Sequence, residues 1–122
     1  MTVEVARVDF VGVPTQDMER AIRFYVDTLG LRKDEHREAE FWAGDTCLSL
    51  WKPEWAGQEF TPNATGLIAL QVPDVEATRA DLEAKGVVFH GETIDSGVCH
   101  MAIFSDPDGN KLMLHKRYKP YE

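Results

Sequence analysis

The most constraining feature of this sequence is an internal repeat. In each half, a strand-like run ending in Val-Pro is followed by an aspartate, a helical stretch and a glycine; the equivalent positions are Asp17 with Asp74 and Gly30 with Gly86. The aspartates are 57 residues apart (74 minus 17) and the glycines 56 (86 minus 30), so the second helical stretch is one residue shorter. Repetition of a whole supersecondary unit predicts the fold before any single motif does.

Each repeat predicts a βαβββ module, which is one strand, one helix and three further strands. An aspartate before a helical stretch is a typical N-cap, and a glycine after it is typical of the left-handed residue that ends a helix. The further strands are expected at about 31–36, 40–43 and 46–52 in the first half, and at about 87–93, 98–105 and 111–117 in the second. The run Asp106-Pro107-Asp108-Gly109-Asn110 predicts the turn between the last two strands.

The whole chain, residues 1–122, is expected to form one domain. Module one is predicted at about 5–52 and module two at about 65–117. The segment of about 53–64 between them contains two prolines and Gly57, which is typical of a linker. A chain of 122 residues buries enough surface to fold without a disulfide or a metal.

The charge and the cysteines exclude several classes of partner. A net charge of −8 argues against nucleic acid, because phosphate binding requires a basic patch, whereas an acidic surface suits a cationic ligand or serves solubility alone. Cys47 and Cys99 are too few for a disulfide framework, and the N-terminus has no apolar signal-peptide core. No apolar run reaches the roughly 20 residues that span a bilayer. We therefore expect a cytoplasmic protein with reduced thiols and no membrane partner.

Alternation along the strands predicts two faces with different roles. One face carries aliphatic residues that should pack under the helices, namely Val11, Val13, Leu48, Leu50, Ile68, Leu70, Val72, Leu112 and Leu114. The other face carries Phe10, Gly12, Cys47, Ser49, Trp51, Leu67, Ala69, Gln71, Met113 and His115. A mostly apolar surface with few polar groups is typical of a ligand pocket, and equally of packing against the other half or a second chain.

A set of motifs in a fixed order carries a resemblance to a known family. The motifs are Val13-Pro14-Thr15-Gln16-Asp17-Met18-Glu19-Arg20-Ala21, Phe24-Tyr25, Leu29-Gly30-Leu31, Val72-Pro73-Asp74-Val75-Glu76-Ala77, Lys85-Gly86-Val87 and Asp106-Pro107-Asp108-Gly109-Asn110. Together, over about residues 7–116, they resemble the vicinal-oxygen-chelate superfamily of glyoxalases, bleomycin-resistance proteins and extradiol dioxygenases. The resemblance implies an α+β fold whose two βαβββ modules form a curved mixed sheet, with the helices on its convex face and a pocket on its concave face. It also implies a homodimer.

The resemblance implies, for the enzymes of this superfamily, a divalent metal held by His, Glu or Gln from the first and fourth strands of each module. The matching positions in this sequence are Phe10, Ser49, Leu67 and Met113. Such an ion prefers carboxylate oxygen or imidazole nitrogen, which Phe, Leu and Met lack and a lone Ser cannot replace. We therefore expect no metal and no other cofactor.

These observations favour a metal-free protein that binds a small molecule, as bleomycin-resistance proteins do, and sequesters an aromatic or cationic toxic compound. The expected ligand-binding residues are Phe10, Ser49, Trp51, Leu67, Met113 and His115. Aromatic side chains stack on flat ligands, and Trp51 is the first candidate because alternation places it on the concave face. Trp42, Trp55 and Phe60 are further candidates for stacking.

Two other functions remain open from the sequence. One is a glyoxalase-like lyase or dioxygenase that uses an unrecognised metal site or His115 as a general base, since the reference pKa of histidine lies near neutrality. No catalytic residue can be assigned, because the sequence supplies no partner for His115. The other is an accessory or interaction domain without a ligand, in which side chains fill the concave face.

Overall fold

The computed structural model describes residues 2–120. Within them, unit one consists of β1 (Val11–Pro14), α1 (Met18–Arg23), β2 (Arg32–Lys33), β3 (Glu40–Ala43) and β4 (Thr46–Trp51). Unit two consists of β5 (Ile68–Gln71), α2 (Val75–Ala84), β6 (Phe89–Asp95), β7 (Cys99–Ser105) and β8 (Lys111–Arg117). The predicted domain 1–122 also includes Met1, Tyr121 and Glu122, which lie outside the described residues.

The two units have the same strand topology. The strand orders are β1-β4-β3-β2 and β5-β8-β7-β6, with β1 parallel to β4, β5 parallel to β8, and every other neighbouring pair antiparallel. Each unit is a βαβββ module, and its four strands form a curved, open sheet that packs against its helix. The predicted α+β fold of two such modules is therefore confirmed.

The predicted helix ends are confirmed, but the first helix is not uniform. Asp17 Oδ1 accepts the N–H of Arg20 at 3.1 Å, and Asp74 caps α2 in the same way. Gly30 and Gly86 have φ angles of 73° and 88°, which end the helical segments at little steric cost.

After α1 the chain makes a π-helical turn at Phe24–Thr28 rather than continuing as an α-helix to Gly30. The wider turn allows Phe24 and Tyr25, which are adjacent in sequence, both to be buried, with exposed fractions of 8% and 1%. Tertiary packing of these two rings therefore decides the helix type here.

Two predicted strands have wrong boundaries, each for a local reason. β2 ends at Lys33 instead of residue 36, because Asp34 Oδ1 accepts the N–H groups of His36 and Arg37 and turns the chain. β6 covers 89–95 instead of 87–93, with an irregular register between His90 and Ile94 at a left-handed Gly91. The predicted linker contains a 3₁₀ helix, Pro53–Ala56.

The hydrophobic core lies between the helices and the helix-facing sides of the sheets. The predicted core residues Val13, Leu48, Leu50, Leu112 and Leu114 are buried, and Val11, Ile68, Leu70 and Val72 pack against them while remaining partly exposed. Full burial of one such side chain stabilises the fold by about 1.5–3 kcal/mol, so this set is enough to determine the strand register.

A buried polar network joins the two units through the turn 106–110. The side chain of Asp108 is fully buried and accepts hydrogen bonds from Thr15 Oγ1 at 2.5 Å, from the backbone N–H of Gln16 at 2.8 Å and from Arg20 Nη2 at 2.9 Å. These contacts link the last turn of unit two to the start of α1 in unit one. The sequence predicted this segment only as a turn.

The same network includes a buried tyrosine. Tyr25 Oη donates to Asp106 Oδ2 at 2.7 Å, and Asn110 Nδ2 donates to the carbonyl of Pro14 at 2.8 Å. Burial, followed by the nearby charge of Asp106, raises the pKa of Tyr25 far above its usual range. The π-helical turn of unit one is thereby anchored to unit two.

Neither helix in the described part of the chain is long and apolar enough to cross a membrane.

Candidate functional site

The unit-one face is the side of the first sheet that points away from its helix. Its residues are Gly12, Glu40, Trp42, Cys47, Ser49 and Trp51, which strand pairing places side by side. Ser49 lies at the centre, paired with Gly12 on β1 and with Glu40 on β3. Because directly paired residues project to the same face, Ser49 and Glu40 form one row across the sheet.

Trp51 lies against the backbone of Gly12. The indole Nε1 of Trp51 is 3.3 Å from the position that a Cβ atom at residue 12 would occupy. A side chain there would press on the indole, which would have to shift by a few tenths of an ångström. The Trp51 side chain remains partly exposed, which leaves part of the ring open for contact with another molecule.

Glu40 is a carboxylate on this face that sequence reasoning missed. Its Oε2 is 3.4 Å from Ser49 Oγ and its Oε1 is 3.7 Å from Cys47 Sγ. Burial and, secondly, the charge of Glu40 raise the pKa of the Cys47 thiol, so this thiol is not activated as a nucleophile. The alternation of β3 could have identified Glu40, had β3 been analysed as the partner of β4.

Trp42 differs from Trp51 because its polar and aromatic contacts are already satisfied. Its indole N–H donates to Asp34 Oδ2 at 3.1 Å, and the guanidinium of Arg32 lies 5.6 Å from its ring centroid. The backbone N–H of His36 and then this indole N–H lower the pKa of Asp34. Trp42 is therefore part of a surface cluster within unit one.

The unit-two face is the corresponding side of the second sheet and is more apolar. Its central strand β8 carries Met113 and His115. Their neighbours on the same face are Ala69 and Gln71 on β5, and Ile103 and Met101 on β7. The centre of this face offers mainly aliphatic and thioether surface, with His115 and Gln71 as polar neighbours. Pairing also places His90, Ser105 and Lys111 on the same face, and His90 Nε2 lies 2.5 Å from Ser105 Oγ.

The six predicted ligand-binding residues fall into two sets on separate sheets. Ser49 and Trp51 lie two residues apart on β4, and Met113 and His115 lie two residues apart on β8. Phe10 immediately precedes β1, and Leu67 immediately precedes β5. Their exposed fractions are 56% and 37%. Within residues 2–120, no backbone ladder connects the two sheets.

The side chains at the four positions expected to hold metal ligands do not fit a divalent metal. Phe10, Leu67 and Met113 offer neither oxygen nor nitrogen from their side chains, and the Ser49 hydroxyl is a single weak donor. Among the residues that the structure describes, no group of three or more His, Cys, Asp or Glu side chains is arranged to hold a metal ion.

An open groove lies along the free edge of β5. It has a volume of about 730 Å³ and is lined by residues 68–72, by residues 29–32 at the end of the first helical segment, and by Trp42. β5 pairs only with β8, so the backbone groups of its other side face this groove.

The sequence model of one family, the Glyoxalase/Bleomycin resistance protein/Dioxygenase superfamily, matches residues 7–114. Among solved structures, a member of that superfamily from Sphaerobacter thermophilus DSM 20745 is 26% identical, with a TM-score of 0.76 over 91% of this chain and 97% of that one. TnmS3, an antibiotic binding protein from Streptomyces sp. CB03234, is 29% identical, with a TM-score of 0.72 over 95% and 99%. No protein of curated function matches this chain.

Proposed function

The chain belongs to the Glyoxalase/Bleomycin resistance protein/Dioxygenase superfamily, and from this premise we propose that it binds a small molecule without a metal and sequesters a toxic compound. The ligand is aromatic or cationic, and Phe10, Ser49, Trp51, Leu67, Met113 and His115 contribute to its binding.

The observation that carries this proposal is the composition of the two faces. Trp51 presents a partly exposed side chain, and the centre of the unit-two face presents Met113 and Ile103, with His115 and Gln71 as polar neighbours. Apolar surface with a small number of polar groups is the usual lining of a small-molecule site. The positions where metal ligands would be expected lack suitable donor atoms, which favours binding over metal-assisted chemistry.

The similarity to TnmS3 supports the same proposal. That protein is an antibiotic binding protein, and it matches this chain over nearly the full length of both. A role in antibiotic resistance by sequestration is the corresponding proposal for this chain. A cytoplasmic location is part of the proposal, since Cys47 and Cys99 are both buried free thiols.

We also propose that the protein acts as a homodimer. The segment before β1 exposes Val3, Val5, Val8 and Phe10, with exposed fractions of 82%, 77%, 75% and 56%, and it leads directly into the free edge of β1. Large apolar side chains exposed within one short segment are typical of a surface that another chain covers. A second copy that covered the groove beside β5 and this segment would bury the segment's apolar side chains. It would also bring sheet faces from two chains together.

Two measurements test the binding proposal. Protein purified without chelators should contain far less than one Zn, Fe, Ni or Mn per chain by elemental analysis. Flat aromatic compounds, screened well above their Kd, should raise the melting temperature by several degrees, because ligand at about 100 times Kd stabilises by about 2.7 kcal/mol. Near-stoichiometric metal, or no shift with any flat compound, would overturn the proposal.

Light scattering coupled to gel filtration tests the assembly. A dimer mass is expected at micromolar concentration, and deletion of residues 2–9 should convert it to a monomer. A wild-type protein that elutes as a monomer at every concentration would exclude the dimer.

A further inference from the structure

Glu40 is a carboxylate with unused capacity to accept hydrogen bonds. Its neighbours Ser49 and Cys47 lie at 3.4 Å and 3.7 Å, both long for hydrogen bonds. An ionised carboxylate offers about four lone-pair sites, and these two contacts use few of them. The Glu40 side chain is only 20% exposed, so water satisfies the remainder incompletely.

The cation nearest to Glu40 is a poor partner. Arg37 Nη1 is 3.9 Å from Glu40 Oε1, and the Arg37 side chain is 71% exposed. An exposed pair at this distance gains little, because solvent screens the charges and both side chains lose rotamer freedom. Arg37 can therefore be displaced by a better placed positive charge.

A second carboxylate nearby shows the contrast. Asp34 accepts the backbone N–H groups of His36 and Arg37 and the indole N–H of Trp42, at 2.9, 3.1 and 3.1 Å. Both of its oxygens are thus occupied by donors from its own loop and sheet. Glu40 has no such set of donors among the residues that the structure describes.

An aromatic ring lies at a suitable spacing from Glu40. Glu40 pairs with Ser49, and Trp51 is two residues further along β4, so Glu40 and Trp51 are diagonal neighbours on the unit-one face. Residues in this relation are roughly 7–8 Å apart, and their Cβ atoms are somewhat closer. This separation matches a fused ring system that lies against the indole and carries a charged nitrogen at one side.

We propose that Glu40 recognises a positively charged nitrogen of the ligand, while the ring system bearing that nitrogen lies against Trp51. The inference rests on the proposed function and narrows it to flat aromatic cations. Two interactions contribute: a charge-assisted hydrogen bond to the carboxylate and stacking on the indole ring. Only the hydrogen bond requires a charged ligand.

The test compares two probes of similar shape: proflavine, a cation of three fused rings, and acridone, which is neutral. Quenching of tryptophan fluorescence gives Kd for each with the wild-type protein. We expect Glu40→Gln to weaken proflavine binding about tenfold or more and to leave acridone nearly unchanged. Trp51→Ala should weaken both probes.

Glu19→Gln is the matched control, because Glu19 is exposed on α1, on the other side of the first sheet, and its replacement changes the net charge equally. Arg37→Gln should tighten proflavine binding about two- to threefold by removing the competing cation. This expected gain of affinity keeps the inference testable if Glu40→Gln fails to fold.

The outcomes separate the inference from the proposed function. If wild-type protein binds both probes and neither Glu40→Gln nor Arg37→Gln alters the ratio of their Kd values, the protein binds flat ligands but the role of Glu40 is wrong. If wild-type protein binds neither probe, the inference fails, and the wider screen of flat compounds then decides whether the proposed binding function fails with it.

Discussion

The two units share a topology but differ in the lengths of their strands and in the side chains on their faces. Unit two has the longer strands, with seven residues each in β6, β7 and β8, whereas β2, β3 and β4 have two, four and six. The unit-one face carries Glu40 and two tryptophans, whereas the unit-two face combines methionine and isoleucine side chains with His90 and Ser105. Two copies of one topology therefore present different side chains.

The turns before the fourth strands show a second difference. In unit one this turn is the short, exposed Gly44-Asp45. In unit two it is the segment 106–110, whose Asp106, Asp108 and Asn110 are buried and bonded to unit one. Equivalent positions in a repeat therefore do different things: one only reverses the chain, and the other connects the units.

The largest effects are expected from the equivalent core phenylalanines, Phe41 and Phe104, both completely buried. Phe41→Ala and Phe104→Ala should each reduce the free energy of unfolding by about 3–5 kcal/mol, because each leaves a cavity in a packed core. Urea denaturation followed by tryptophan fluorescence measures this, and the three tryptophans at 42, 51 and 55 all precede unit two.

A loss of stability reported by those tryptophans after Phe104→Ala would show that the units unfold together. Val88→Ala, at an exposed position of unit two, is the control and should change stability by less than about 0.5 kcal/mol. An unchanged fluorescence transition in Phe104→Ala would instead mean that unit one unfolds on its own.

The next largest effect tests the difference between the buried turn of unit two and the exposed turn of unit one. Asp108→Ala should destabilise the protein by about 3 kcal/mol, since it leaves the Thr15 hydroxyl, the Gln16 N–H and the Arg20 guanidinium without their buried acceptor. Asp45→Ala in the exposed turn of unit one should cost almost nothing. Equal values for the two variants in thermal unfolding would contradict the structural role of the network.

A smaller effect isolates the hydroxyl of Tyr25. Tyr25→Phe should cost about 1 kcal/mol at neutral pH by removing the bond to Asp106. The folded-state pKa of Tyr25 is raised, so its contribution to stability is present below the unfolded pKa of about 10 and declines as pH rises beyond it.

The stability of the wild-type protein should therefore fall more steeply above about pH 10 than the stability of Tyr25→Phe. In that range, unfolding of the wild-type protein releases the Tyr25 hydroxyl proton, which Tyr25→Phe lacks. Urea titrations at several alkaline pH values measure the two slopes. Tyr118→Phe is the comparison at an exposed tyrosine. The hydrogen bond to Asp95 also raises the pKa of Tyr118, so this variant should lose a smaller part of the slope than Tyr25→Phe. Identical slopes in wild type and Tyr25→Phe would be inconsistent with a buried, neutral phenol.

The smallest effect tests the equivalence that the repeat predicts. Asp17→Ala and Asp74→Ala should each cost about 1 kcal/mol, since both side chains accept a backbone N–H at the start of a helix. Asp81→Ala, at an exposed position within α2, should be near neutral. A much larger cost at one cap than at the other would show that the units use their N-caps differently.

Local patterns made much of this fold predictable. The N-caps, the glycines that end the helices and the core-facing aliphatics of β4 and β8 were all correct from the sequence. Each depends on hydrogen bonds or alternation within a few residues, so a single sequence contains the needed information. The π-helical turn was missed because it results from packing of Phe24 and Tyr25, which local periodicity does not express.

The sequence by itself determined the βαβββ repeat, the family and the absence of ligand-type side chains at Phe10, Leu67 and Met113. Only the tertiary structure placed Asp108 beside Thr15 and Arg20. The physical reason is distance along the chain. Asp108 and Thr15 are separated by 93 residues, and their hydrogen bond forms only when both are removed from water at the same place. Such pairings depend on how whole units pack, which alternation and capping within each unit do not specify.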